Sequence, residues 1–337
     1  TQLMNEAGRG FADFFGVEDS DEIVFGANAT TITFSISRAL AQSWNEGDEV
    51  IVTDLDHDAN ISPWILAARD RGVHVKSVRF HKGTCTLDVD DLESKVTPKT
   101  RLVAIAGASN AVGTLNPVRR IADLVHRQGG LVYLDAVHYA PHVLTDIPAL
   151  GCDFLVCSAY KFFGPHVGVL WGRRPLLESL QPYKVRPAPD TIPGKWMTGT
   201  QNHPCIAGSL AAVNYLTQIG RLVGENSLDR RAALRYAFAW IQDYEARLVQ
   251  RLLAGLSEMD AIEVYGLPLG DARPRLPTVS IRHRDVPPKQ VARYLADHGI
   301  FVWHGNYYAL RLSEALGNEP DGMVRLGLVH YLSLIHI

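Results

Sequence analysis

The sequence predicts an α/β fold built on a mostly parallel sheet, and three observations carry that reading. Short apolar, β-branched runs alternate with helical patterns from Glu22 to about Gly172, as βαβ units do. The residues that follow those runs are polar and chemically varied, and open α/β sheets bind ligands beyond the carboxyl ends of their strands. After Gly224 the texture changes to a long helical segment rich in Ala, Arg and Leu, followed by a smaller region of mixed elements.

Taken in order, the strand candidates are EIVFG (22–26), EVIVT (49–53), HVKSVRF (74–80), RLVAIAG (101–107), LVYLD (131–135), DFLVCS (153–158) and VGVLWG (167–172), which together make a seven-stranded sheet. Helical patterns run from Thr31 to Trp44, from about Ile61 to Arg71, from Val89 to Lys95, from Val118 to Arg127 and from Cys205 to Ile219. A long helix over Leu228 to Glu258 then leads to AIEVYG, PTVSIRH, a helix from Lys289 to His298, GIFVWH and VRLGLVH, a small α+β unit. The boundary falls near residue 225, giving a large domain over 1–225 and a small one over 226–337.

Composition narrows the function. A chain of 337 residues, 47% hydrophobic and 20% charged, buries a sizeable core. Its 33 basic and 36 acidic residues give a net charge of −3 with no long basic run, so no electrostatic footprint for nucleic acid or an anionic membrane is present. The longest stretch free of Asp, Glu, Lys and Arg, Trp196 to Gly220, is broken by polar residues and is no membrane span. Cys85, Cys152, Cys157 and Cys205 form no CxxC pair, which points to a reducing compartment, the cytoplasm, and away from structural zinc. The chain opens at Thr1 rather than Met and stops at Ile337 inside the apolar run SLIHI, so the expectation is a fragment cut at both ends.

The polar residues after the strands carry the chemistry. EIVFG leads into Ala27, Asn28, Ala29, Thr30 and Thr31 and then a helix, a turn suited to an anion as well as to an ordinary cap. EVIVT is followed by Asp54, Asp56, His57 and Asp58. A calcium loop starting at Asp54 fails, with Ala59 where Gly is needed and Ile65 where Glu is needed, and no metal is expected. RLVAIAG runs into Ser109, Asn110 and Gly113, LVYL ends in Asp135 with His138 three residues on, and DFLVCSAY precedes Lys161. A lysine between an apolar strand and the turn FFGP is placed for desolvation, which lowers its pKa and frees the amine as a nucleophile.

One ligand asks for this set. Pyridoxal 5′-phosphate needs a lysine for its imine, a carboxylate on the pyridine nitrogen, a helix N-terminus for its phosphate and a flat group over its ring. Lys161, Asp135, Thr30 with its neighbours Asn28 and Ala29, and His57 fill those roles in turn.

The ordered motifs FGANATT, DLDHDANISPW, ASNAVGT, YLDAVHYAPH, DFLVCSAYKFFGPHVGVLWG, TGTQNHP and MVRLGLVHY resemble the class V aminotransferases, which share the PLP-dependent transferase fold type I, and within them the cysteine desulfurase-like branch. The resemblance implies the same roles for Lys161, Asp135 and His57. It adds Ser158 to the phosphate shell, Asn110 beside the phenolic oxygen and the substrate, Thr200 reaching the phosphate of a neighbouring subunit in a homodimer, and Arg325 on the substrate α-carboxylate. Three departures accompany it. No cysteine follows Cys205, and Tyr308 stands near the place of the desulfurase nucleophile, which speaks against a protein-bound persulfide. His138 and Tyr160 replace Gln and His beside the cofactor, and the N-terminal gating segment is missing. The expected function is amino-acid chemistry at Lys161, cleaving a C–S or related bond, with His57 and Asp135 completing the catalytic group. A transaminase or epimerase, or a scaffold without catalysis, are the alternatives.

Overall fold

The structure is a computed structural model that describes residues 2–332; the terminal SLIHI run lies outside the described residues. All seven anticipated strands form, with ends shifted by a residue or two, and they make one sheet. Its order is Ile23–Gly26, Gly168–Gly172, Phe154–Ser158, Leu131–Asp135, Thr100–Ala106, Glu49–Thr53 and His74–Val78. Gly168–Gly172 runs antiparallel to both of its neighbours, and the other pairings are parallel. The candidate strand 74–80 is cut at Val78; its last residue joins a separate hairpin, Phe80–His81 with Thr86–Leu87.

The unbroken apolar runs have a simple cause: both faces of the sheet are covered. Ile51, Val103, Ile105 and Leu155 point into one core layer with the helices Gln2–Phe15, Val118–Arg127 and His203–Val223. Their neighbours Val50, Val52, Leu102, Ala104 and Val156 point into another, with Ala29–Ala41 and Ser62–Arg69. Such two-sided burial is what positions six strand ends rigidly at one edge, where the polar loops begin.

The second unit differs in detail from the expectation. Its strands pair antiparallel in the order Ile262–Tyr265, Thr278–His283, Met323–Gly327, Trp303–Gly305, with helices Pro288–Asp297 and Leu310–Ala315. GIFVWH contributes only Trp303 onward to that sheet. Val249, Leu253 and Leu256 of the long helix Arg230–Ser257 pack on Val279, Ile281 and Val324 of the sheet. Among the described residues, no helix is long and apolar enough to cross a membrane.

The helices His203–Val223 and Arg230–Ser257 are in close backbone contact at Gly220, where a Cβ would lie 1.7 Å from the Ala233 carbonyl oxygen. Backbone cannot retreat as a flexible side chain does, so Gly220→Ala is expected to cost about 1–3 kcal/mol of stability. A shift of the urea unfolding midpoint to lower concentration checks this.

Candidate active site

The loops leaving the strand ends assemble one cleft. At the first, Asn28 caps helix Ala29–Ala41 by accepting from the Thr31 amide at 2.8 Å, two residues earlier than the sequence pattern placed the helix. The Ala29 amide donates to the Ser158 hydroxyl at 3.1 Å, so Ser158, 2% exposed at the end of its own strand, joins this turn. Thr30 is exposed. The turn rests on Gly168, where a Cβ would come within 2.5 Å of the Asn28 carbonyl carbon. Helix N-termini present otherwise unpaired N–H groups and a partial positive charge, which suits a phosphate.

Asp135 ends its strand with one carboxylate oxygen accepting from the Val137 amide at 2.8 Å. Burial raises its pKa to about 6, against the opposing pull of that amide and of the Lys161 charge. Lys161 lies on the short turn Ala159–Phe162 with its Nζ 5.0 Å from the centre of the Tyr160 ring. It opens to solvent through the cleft, yet the surrounding protein desolvates the amine and, with the Arg325 charge, lowers its pKa; Asp135 opposes this. His57 accepts the Ala59 amide on Nδ1 at 3.0 Å, which leaves the proton of the neutral ring on Nε2. Burial first, then the Lys161 and Arg325 charges, push its pKa down to about 4, with Asp58 opposing, so the ring is neutral at pH 7.

The second sheet closes the cleft. Arg325 donates to the Asn110 carbonyl at 2.8 Å and lies 4.4 Å from the centre of the Tyr307 ring. Asn110 Nδ2 donates to the Tyr307 carbonyl at 2.9 Å, and the Asp58 amide donates to that of Tyr308 at 2.7 Å. Both tyrosines hold left-handed backbone, φ 57° and 60°, and the Tyr308 ring stacks on His57 at 5.3 Å. His138 bonds Thr278 of the second sheet at 2.9 Å, and burial with the His142, Arg325 and Lys161 charges holds its pKa well below the usual imidazole range.

Lys161, Asp135, His57, His138 and Arg325 thus lie within electrostatic reach of one another, and Asn110 is tied directly to Arg325. Tyr160 turns its ring onto His166, 4.8 Å away, and is 41% exposed. Thr200 is exposed and borders a cavity of about 360 Å³ that Ala27 and Thr31 also line, on the outside of the Asn28 turn. The acidic cluster after the second strand disperses: Asp54 pairs with Arg311, Asp58 takes the Ser62 hydroxyl, and Asp56 points inward. Sequence reasoning missed Thr278 and Tyr307, whose contacts span 140 and 197 residues along the chain.

The residues fit pyridoxal 5′-phosphate: a hydroxyl-lined helix start, a buried carboxylate, a flat neutral ring and a partly desolvated amine lie close together, and Asn110 Oδ1 is buried without a partner. The raised Asp135 pKa also gives a test. The folded chain binds this proton more tightly than the unfolded one, so the group weakens stability as pH rises from about 4 through about 6. Asp135→Asn is therefore expected to raise the melting temperature of the cofactor-free protein at pH 8, with the gain fading below pH 6.

A protein of Halalkalibacterium halodurans named "Probable cysteine desulfurase" is 32% identical over 319 residues, 90% of this chain and 72% of that protein. The "Aminotransferase-like protein FGM3" of Gibberella zeae is 35% identical over 321 residues, 92% of this chain and 75% of its own. The solved apo structure of the cysteine desulfurase from Thermococcus onnurineus NA1 matches with a TM-score of 0.88 at 26% identity, covering 100% of this chain and 81% of that one. Residues 1–334 match the family described as "Aminotransferase class-V", and this chain belongs to that family.

Proposed function

We propose that the chain is a pyridoxal 5′-phosphate enzyme that cleaves a C–S bond in a sulfur-containing amino acid and releases the sulfur without passing it to a protein thiol. The convergence of Lys161, Asp135, His57 and Arg325 on one cleft carries this reading. When bound, the cofactor supplies an electron sink that acidifies the substrate Cα–H.

The chain's own residues do the rest. Thr30 and Ser158 would hold the phosphate at the helix start, in a turn that Asn28 and Ala29 shape through their bonds to Thr31 and Ser158. Asp135, ionised at neutral pH, keeps a proton on the ring nitrogen. His57 offers a flat neutral ring for stacking, and Tyr308 covers one of its faces. Arg325 holds the α-carboxylate in the bidentate manner that lysine cannot match. The depressed pKa of Lys161 suits its amine to take the proton from Cα. His138, Tyr160 and Asn110 border the ring and substrate. Cleavage breaks Cα–H and Cβ–S, the thiolate takes a proton, and water completes the conversion to a keto acid and ammonia.

The fate of the sulfur follows from the cysteines. Cys85, Cys152 and Cys157 are buried in the core, Cys205 sits in the first turn of helix His203–Val223, and the loop that meets His57 carries Tyr308. With no thiol there to accept sulfur, it leaves as sulfide from a free thiol, as a small thiol from a thioether, or as a persulfide from a disulfide such as cystine. The four free cysteines suit the cytoplasm. Thr200, exposed beside the phosphate turn, suits a homodimer with shared sites, which sedimentation at twice the chain mass would check.

Incubation of the purified protein with L-cysteine or cystine is expected to yield pyruvate and a reduced sulfur species; alanine with sulfide, or a strict need for a keto acid, overturns the reading. The visible absorbance of the bound cofactor is expected to vanish on borohydride treatment, and Lys161→Ala to leave nothing to trap. Arg325→Lys is expected to raise KM about tenfold or more, the loss of one charge-assisted hydrogen bond.

A further inference from the structure

We propose that Asp56 is a positioning residue of this site: its buried carboxyl ties the two ends of the loop that presents His57 and adds a second acidic group close to Asp135. The proposal rests on the cofactor reading above, because the bound cofactor is its reporter.

Asp56 is 0% exposed. One carboxyl oxygen accepts from the Thr53 hydroxyl at 2.7 Å, and Thr53 is the last residue of its strand. The other accepts from the Asn60 amide group at 2.8 Å, and Asn60 ends the turn Asp58–Asn60. Asn60 in turn accepts from the Trp64 indole at 3.2 Å. His57 lies between these anchors, so its ring direction depends on a loop held at both ends by one carboxyl group.

The same carboxyl lies near the backbone at the end of the strand Thr100–Ala106, and Ala106 is the register partner of Asp135. No basic side chain pairs with Asp56 among the described residues. Buried unpaired charge is costly, and burial, with Asp135 adding repulsion, pushes its pKa up to about 7. The other charged or titratable groups nearby are committed elsewhere: Asp54 to Arg311, Asp58 to Ser62, the Tyr133 phenol to Thr33, Arg38 to the Phe34 ring, and Arg69 to Asp70 at the surface. Asp135 is the charged group that acts on it. An ionised Asp56 favours retention of the proton that Asp135 holds on the ring nitrogen.

The test uses the cofactor-loaded protein and its Asp56→Asn variant, recording visible absorbance against pH, the induced circular dichroism of the cofactor band, and thermal melting. Removing the charge is expected to lower the midpoint of the absorbance titration by about one unit, and misdirecting His57 is expected to shrink the induced dichroism. Should Asp56→Asn fail to fold, Thr53→Val removes one donor, leaves Asp56 more protonated, and is expected to move both signals the same way by less. An unmoved titration and dichroism in a folded variant, with or without a lower melting temperature, overturns the proposal, as does failure of both variants to fold. A wild-type protein with no borohydride-sensitive band overturns the cofactor reading and this proposal together, whereas a normal wild-type band with unmoved variants overturns this proposal alone.

Discussion

Burial is the constraint on which the cleft's electrostatics depends, and Arg325 adds to it: the guanidinium donates to a backbone carbonyl and lies on an aromatic face, yet no Asp or Glu among the described residues pairs with it. Burial first, and the Arg325 charge with it, lower the pKa of Lys161, His57 and His138, and burial lowers that of Arg325 itself. A partly desolvated guanidinium without an anion is poised to gain from one, since charge-assisted bonds are strongest where water is scarce. The same residue ties the second sheet to the loop that follows Thr100–Ala106 through the Asn110 carbonyl, so an unpaired cation of the cleft is also a link between the two units.

The two carboxylates of the site illustrate the opposite bias. Asp135 and Asp56 are both buried, both raised in pKa and both held by N–H or O–H donors rather than by cations. Such groups weaken the folded state, and the two apolar layers that sandwich the sheet offset them. The rigidity that those layers give to the strand ends is what lets loops of differing chemistry meet without mutual adjustment.

Much of the large sheet was legible because its signal is local. A strand buried on both faces must be apolar throughout, and RLVAIAG or DFLVCS states this within a few residues. Lys161 and Asp135 stood out because each interrupts or ends such a run. Arg325 did not stand out: read by itself it looks like a surface arginine on an edge strand, whereas Met323–Gly327 is an interior strand of its sheet, flanked by Thr278–His283 and Trp303–Gly305. Asp56 was hidden for a related reason. Asp54, Asp56 and Asp58 are neighbours in sequence, but the irregular turn that they occupy sends them to an arginine, an internal network and a serine, and only the tertiary fold distinguishes these. Contacts such as Asn110 with Tyr307 join residues too distant along the chain for any periodic pattern to report.

The paired left-handed residues Tyr307 and Tyr308 carry a wider consequence. Their carbonyl groups, not their side chains, take the hydrogen bonds from Asn110 and Asp58, and the Tyr307 hydroxyl anchors the loop to the Met323 carbonyl. The main chain is therefore clamped independently of what position 308 displays, and that position behaves as a socket. Different functional groups can be mounted there and delivered to the same point over His57, so a fold of this kind can exchange one reaction outcome for another while its scaffold stays as it is.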